Sequence, residues 1–221
     1  MTQSIRSAFD QEITHIHQEL KQMSELVDKS IERSMQSLID QNLVLAAGVI
    51  AEDIRINDLR FKLEESCLTL IATQQPIARD LREIIAIMHS VVELERMGDH
   101  AAGIAKTVIK ASDERPLKPG KKLVQMAGLS REMLRDCIQA FEAHDVQRAR
   151  EIAARDAEMD QLYKALFDRL MKIMGENPKL IPRATYLLWC GHNLERIADR
   201  VTNLAERVIF MATGQLQELS S

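Results

Sequence analysis

The chain has 221 residues and a mass of 25.1 kDa, room for one compact domain or two of about 110 residues each. Apolar residues make up 46% of it and aromatics only 4%, with 8 Gly and 5 Pro, which argues against a β-sandwich or barrel and for an all-α fold. A formal charge of −4 and a pI near 5.9 argue against a nucleic-acid partner, which calls for a basic excess.

The apolar spacing is helical almost from the start. Ile5, Phe9, Ile13, Ile16, Leu20, Met23, Val27, Ile31, Met35 and Leu38 step by three and four and line one face of a long first helix. Asp40-Gln41-Asn42 offers capping side chains before a second helix, and Gln74-Gln75-Pro76 closes that helix and predicts proline in the first turn of a third. The richest run of helix breakers is Asp113-Glu114-Arg115-Pro116-Leu117-Lys118-Pro119-Gly120, read as a linker over 113–120. Beyond it, breaks at His144-Asp145 and Gly175-Glu176-Asn177-Pro178, with Gly214 at the end, divide the second half into three more helices. The expected architecture is two tandem, pseudo-repeated three-helix bundles, residues 1–112 and 121–221, made of six long antiparallel helices.

Several classes are excluded or disfavoured. The longest strongly apolar runs, Leu43 to Ala51 and Ile84 to Val92, fall well short of the roughly twenty residues a membrane span needs. Arg6, Asp10 and Glu12 interrupt the N-terminal region, so no secretory signal is read there. Cys67, Cys137 and Cys190 are odd in number and far apart, as expected of reduced, packed thiols in a cytoplasmic protein. P-loop, nucleophile-elbow and dinucleotide-binding motifs are missing, which removes the usual parts of nucleotide hydrolysis and triad chemistry.

The two halves repeat each other. Leu94-Glu95-Arg96-Met97-Gly98-Asp99 returns one hundred residues on as Leu194-Glu195-Arg196-Ile197-Ala198-Asp199. Upstream, Asp53 to Leu59 aligns with Asp156 to Leu162 at an offset of 103. The repeat carries paired oxygens one helical turn apart: Glu95 with Asp99, Glu195 with Asp199, Asp156 with Asp160, and Asp53 with the neutral Asn57. Like charges at this spacing cost a few tenths of a kcal/mol on an exposed helix, so something should compensate them. One E-x-x-x-D alone is ordinary solvated surface, and Arg96 and Arg196 could neutralise a neighbouring helix in a purely structural ion-pair layer. Repetition beside a second oxygen pair in each half favours a hard cation held between facing helices, with Mg²⁺, Mn²⁺ or Fe as candidates and structural zinc disfavoured.

These residues, together with Gln74 to Arg82 and Thr202-Asn203-Leu204-Ala205-Glu206, make the chain resemble the PhoU family over nearly its full length. The resemblance implies metal clusters on Glu95, Asp99, Glu195, Asp199, Asp156, Asp160 and Asp53, with Asn57 departing from the acidic pattern. It also implies a non-enzymatic, cytoplasmic negative regulator of the phosphate-starvation response. Such a regulator links the ATPase subunit of the phosphate ABC transporter to the sensor histidine kinase, meets the membrane only through these partners, and is commonly a homodimer. Two alternatives stay open: a structural helical adaptor without specific metal binding, and a carboxylate-bridged metalloenzyme. The second lacks the expected Glu-x-x-His, because Gly98 and Ala198 stand three residues after Glu95 and Glu195.

Overall fold

The computed structural model describes the backbone of residues 2–112 and 117–219 and the side chains from Ala8 onward. The architecture is all-α and follows the expected plan: α1 (Thr2–Asp40), α2 (Leu43–Gln74) and α3 (Ala78–Lys110) form the first bundle. Helices α4 (Lys121–Ala143), α5 (Val146–Ala154), α6 (Asp156–Glu176) and α7 (Ile181–Thr213) form the second, with a 3₁₀ turn at Pro178–Leu180. The backbone stays right-handed at Arg155 between α5 and α6, so with these two taken as one bent rod the described residues make six rods.

Local chemistry explains most of the boundaries. The Asn42 side chain accepts from the Leu45 N–H at 3.0 Å and starts α2, and Asp145 does the same for Arg148 at 3.0 Å and starts α5. Gly214, at φ +76°, donates its N–H to Phe210 O at 2.7 Å and closes α7 in the left-handed conformation that glycine adopts most easily.

Two boundaries differ from expectation. Pro76 does not enter the first turn of α3: Ile77 is extended and Ala78, the first residue of the helix, takes φ +48°, so right-handed backbone begins only after Ala78. The fifth rod contains neither Pro nor Gly at its bend. There the Arg155 N–H turns to Ile152 O at 3.0 Å, a tighter turn, and Asp156 restarts the helix, where its charge faces the positive end of the α6 dipole. Within the expected linker, residues 113–116 lie outside the described residues.

The face of α1 read from spacing is the face the fold buries: Phe9, Ile16, Leu20, Met23, Val27, Ile31, Met35 and Leu38 are all in the core. The side chain of Ile5 lies outside the described residues. Helices α3 and α7 pack along each other at the centre, and α1 packs on α4, so the core runs continuously through both bundles. Leu94, Met97, Ala105 and Val108 of α3 and Leu194, Ile197, Ala205 and Val208 of α7 are fully buried.

Polar pairs along this seam reveal its symmetry. Arg200 Nη1 meets Glu93 Oε2 at 3.3 Å, and His100 Nδ1 meets Asn193 Oδ1 at 3.1 Å. Shifting every number by one hundred exchanges the two pairs, as a pseudo-two-fold axis between antiparallel helices requires. The Asn193 amide nitrogen donates to Trp189 O at 2.8 Å, which leaves Oδ1 as the acceptor and makes His100 Nδ1–H the donor. A second link is the Arg131 fork on α4, with Nε 2.8 Å and Nη2 3.0 Å from the Asp28 carboxylate of α1.

Candidate cation-binding clusters

The repeated acidic residues fall beside the seam, each set shared by two helices. The first cluster draws Asp53 from α2 and Glu95 and Asp99 from α3, with Asn57 one turn beyond Asp53 on α2. The second draws Asp156 and Asp160 from the start of α6 and Glu195 and Asp199 from α7. Burial of Leu94, Met97, Leu194 and Ile197 fixes the rotation of α3 and α7 and so sets the carboxylates on the flanks of these helices, toward α2 and α6. All of the site residues are partly buried except Asp99 and Asp160, which are exposed.

Electrostatics shows that the members of each cluster sense one another. Burial first, then the charges of Asp99 and Glu95, hold the Asp53 carboxyl above its ordinary value, with Lys106 opposing. In the second cluster Asp156 is raised by burial and by Asp199 and Asp160. Glu195 is raised by burial and by Asp199 and Asp160, against the pull of His192 and Arg196. Burial and Asp160 raise Asp199 although Arg196, Arg200 and His192 draw it down. Each fold half therefore concentrates negative charge where water is scarce.

Some of that charge is left without a partner. Asp53 Oδ1, Asp156 Oδ1 and Glu195 Oε2 are buried without a hydrogen bond, the 3.3 Å approach of His192 Nδ1 to Glu195 Oε2 having only ion-pair geometry. The remaining charge is partly answered by arginine. Arg60 Nη1 of α2 lies 3.2 Å from Glu95 Oε1, and Arg196 Nη1 lies 3.2 Å from Asp199 Oδ2. With these side chains so engaged, no three His, Cys, Asp or Glu among the described residues converge on a point where a metal ion would sit. What the clusters offer is the donor set: hard, anionic oxygens on facing helices, one or two per cluster unsatisfied, which suits Mg²⁺, Mn²⁺ or iron.

Arg60 is the member that motif reading misses. Its signal was present as a mismatch in the repeat, since the residue 103 positions later is Tyr163. Of the nearby histidines, His89 is exposed, His192 is exposed with Nδ1 against Glu195, and His100 is spent on the seam. Burial and the charges of Arg200 and Arg196 lower the His100 pKa against the pull of Asn193 and Asp99, as suits a neutral donor. The three cysteines are buried and free, and burial raises all three thiols, Cys67 and Cys190 to about 12. They are packed side chains rather than ligands.

Comparison with known proteins places the chain and its fold. The model of the PhoU domain matches twice, over residues 20–108 and 123–208, one match on each bundle. The chain belongs to the PhoU family. It is 36% identical over 211 residues to the phosphate-specific transport system accessory protein PhoU homolog of Rhizobium meliloti, covering 95% of this chain and 89% of that one. The homolog of Streptococcus pneumoniae is 36% identical over 216 residues, covering 98% and 100%. Two crystal structures share the fold: PhoU from Pseudomonas aeruginosa, with a TM-score of 0.89, 32% identity and coverage of 94% and 100%, and the phosphate transport system regulatory protein PhoU from Streptococcus pneumoniae, with 0.89, 35%, 95% and 99%. These PhoU relatives are named as accessory and regulatory proteins of phosphate transport. Among the described residues no helix is long and apolar enough to cross a membrane.

Proposed function

We propose that this chain is an accessory regulator of phosphate-specific transport that works by docking rather than by catalysis. The observation that carries the reading is similarity to PhoU homologs along nearly the whole chain, with both bundles matched. In this role the protein acts in the cytoplasm and represses the phosphate-starvation response. When phosphate is plentiful it bridges the ATPase subunit of the phosphate ABC transporter and the sensor histidine kinase. A homodimer would present two copies of that docking surface. Capture of tagged protein from phosphate-replete and phosphate-starved cells tests the assignment. Recovery of the transporter ATPase or the kinase supports it; recovery of neither under both conditions refutes it.

The acidic clusters enter this role as cation sites. Asp53, Asn57, Glu95 and Asp99 would hold one centre, and Asp156, Asp160, Glu195 and Asp199 the other. A bound Mg²⁺, Mn²⁺ or iron ion would supply positive charge that relieves the mutual repulsion of the carboxylates and draws the two helices of each cluster together. The chain's own part is geometric: the packed seam holds the oxygens at fixed height on α3 and α7, while α2 and α6 bring the remaining donors. Alanine at both Glu95 and Asp99 should lower the metal content of purified protein by elemental analysis, and unchanged content would refute that centre.

A further inference from the structure

The two clusters are related by the repeat but are not equal, and the largest difference in charge is one side chain of α2. In the first cluster Arg60 reaches across from α2 to Glu95 at 3.2 Å. It is anchored on two further sides, by Glu64 Oε1 3.2 Å from its Nε and by the Phe61 ring, whose centroid lies 5.4 Å from Cζ. In the second cluster the repeat puts Tyr163 at this position, which brings no charge to Glu195. The cations present there are Arg200, held by Glu93 across the seam, the exposed His192, 3.3 Å from Glu195 Oε2, and Arg196, which pairs with Asp199 on its own helix with 40% and 32% of the two side chains exposed. Such a pair separates into solvent at little cost. The second cluster also holds four carboxylates, whereas Asn57 leaves the first with three.

We propose that Arg60 is a resident cation of the first cluster, which a metal ion must displace from Glu95, so that the α6/α7 cluster fills first and the α2/α3 cluster second. This rests on the reading of both clusters as cation sites. The guanidinium supplies in advance the positive charge that an incoming ion would bring, and Glu64 and Phe61 on its own helix hold it where it meets Glu95. Tyr163 sets no such competition. Arg60 is thus a specificity-determining residue: it grades two otherwise similar sites into a tight and a weak one, and gives the first bundle a threshold concentration below which α2 and α3 stay bridged by arginine.

The test is Mn²⁺ binding to the full-length protein, followed by electron paramagnetic resonance of free Mn²⁺ and by calorimetry, in wild type, R60Q, R60K, E95Q/D99N and E195Q/D199N. Wild type should show a tight and a weak class of sites, the tight class lost in E195Q/D199N and the weak class in E95Q/D99N. R60Q should tighten the weak class about tenfold and leave the tight one unchanged, while R60K, keeping the charge, should preserve most of the gap. Far-UV circular dichroism checks that each variant is folded. An unchanged weak class in R60Q, or a tight class lost with Glu95 and Asp99, overturns the role of Arg60 while leaving the cation reading standing. Absence of Mn²⁺ binding in wild type overturns both.

Discussion

Neutralising the second cluster should change stability in opposite directions with and without metal. The perturbation is D156N with E195Q, which keeps side-chain shape and removes the two carboxylates that carry unsatisfied buried oxygens. Asp156 and Glu195 are each repelled by Asp199 and Asp160, so four repulsions disappear, together about 1 kcal/mol at a few tenths each. Removing the charges also lifts the desolvation that heads the causes for both groups. Against this stand the loss of Asp156 from the first turn of α6, about 0.5 kcal/mol, and the loss of Glu195's attraction to His192 and Arg196, a few tenths.

The charge terms leave about 0.2 kcal/mol in the variant's favour, and relief of the partial desolvation adds about 0.3–0.8 kcal/mol, so the metal-free variant is about 0.5–1 kcal/mol more stable than wild type. For a chain of this length that raises Tm by about 1–4 °C. Adding Mn²⁺ at a hundredfold excess over its dissociation constant should stabilise wild type by about 2.7 kcal/mol, or about 5–11 °C, and the variant far less. Differential scanning calorimetry in EDTA and in Mn²⁺ therefore gives melting orders that cross. A variant that melts below wild type in EDTA refutes the reasoning, because the carboxylates would then belong to a stabilising ion-pair layer.

The raised carboxylates also set a pH dependence. Between the ordinary values of 3.8 for Asp and 4.5 for Glu and the raised folded values of Asp53, Asp156, Glu195 and Asp199, the folded chain binds more protons than the unfolded one. Metal-free stability contributed by these groups should therefore fall as pH rises through that window, and D156N/E195Q should flatten the fall when Tm is followed against pH. His100, whose pKa is lowered from 6.5, adds an opposite slope, with stability lost as pH falls below that value; H100Q should reduce that loss. Adding a methyl group at Gly191 would bring Cβ to 2.5 Å from Leu166 Cδ2, so G191A should cost about 1–3 kcal/mol and lower Tm by several degrees in a thermal melt. The three thiols should resist Ellman's reagent in the native protein and react together on unfolding, whereas rapid native labelling of any one would contradict its burial.

What was legible in the sequence follows the range of the forces involved. Asn42, Asp145 and Gly214 act on backbone groups a few residues away, so the helix ends they make can be read from the chain itself. The bend at Arg155 has no such local mark. Its arginine reaches Glu132 at 2.9 Å and Asp136 at 3.4 Å on α4, partners far along the chain. Pro76 was a correct sign of a break but a poor guide to its end, because the positive φ of Ala78 delays α3. For the clusters, spacing put Glu95 with Asp99 and Glu195 with Asp199, since one helix turn is a local distance. The approach of Arg60 to Glu95 depends on the register of α2 against α3, which no pattern within either helix encodes.

The two halves differ where difference is least costly to the fold. Along the seam, Leu94 and Leu194, Met97 and Ile197, and Ala105 and Ala205 fill equivalent positions, all fully buried. A change of volume there would be felt in both bundles at once, because α3 and α7 are each other's main neighbours. The outer helices carry no such constraint, and it is there that Asn57 stands against Asp160 and Arg60 against Tyr163. Even Gly98, which faces Ala198 in the repeat, follows the outer helix: a Cβ on it would lie 2.9 Å from Ile56 Cδ1 and 3.2 Å from Asp53 Oδ1 of α2. The seam thus fixes where the acidic oxygens of α3 and α7 stand, and α2 and α6 decide what each set meets: a guanidinium in one half, only more carboxylates and a phenol in the other. Duplication supplied two sites of one design, and the exchange of Arg60 for Tyr163 and Asn57 for Asp160 on the outer helices makes them unequal in charge.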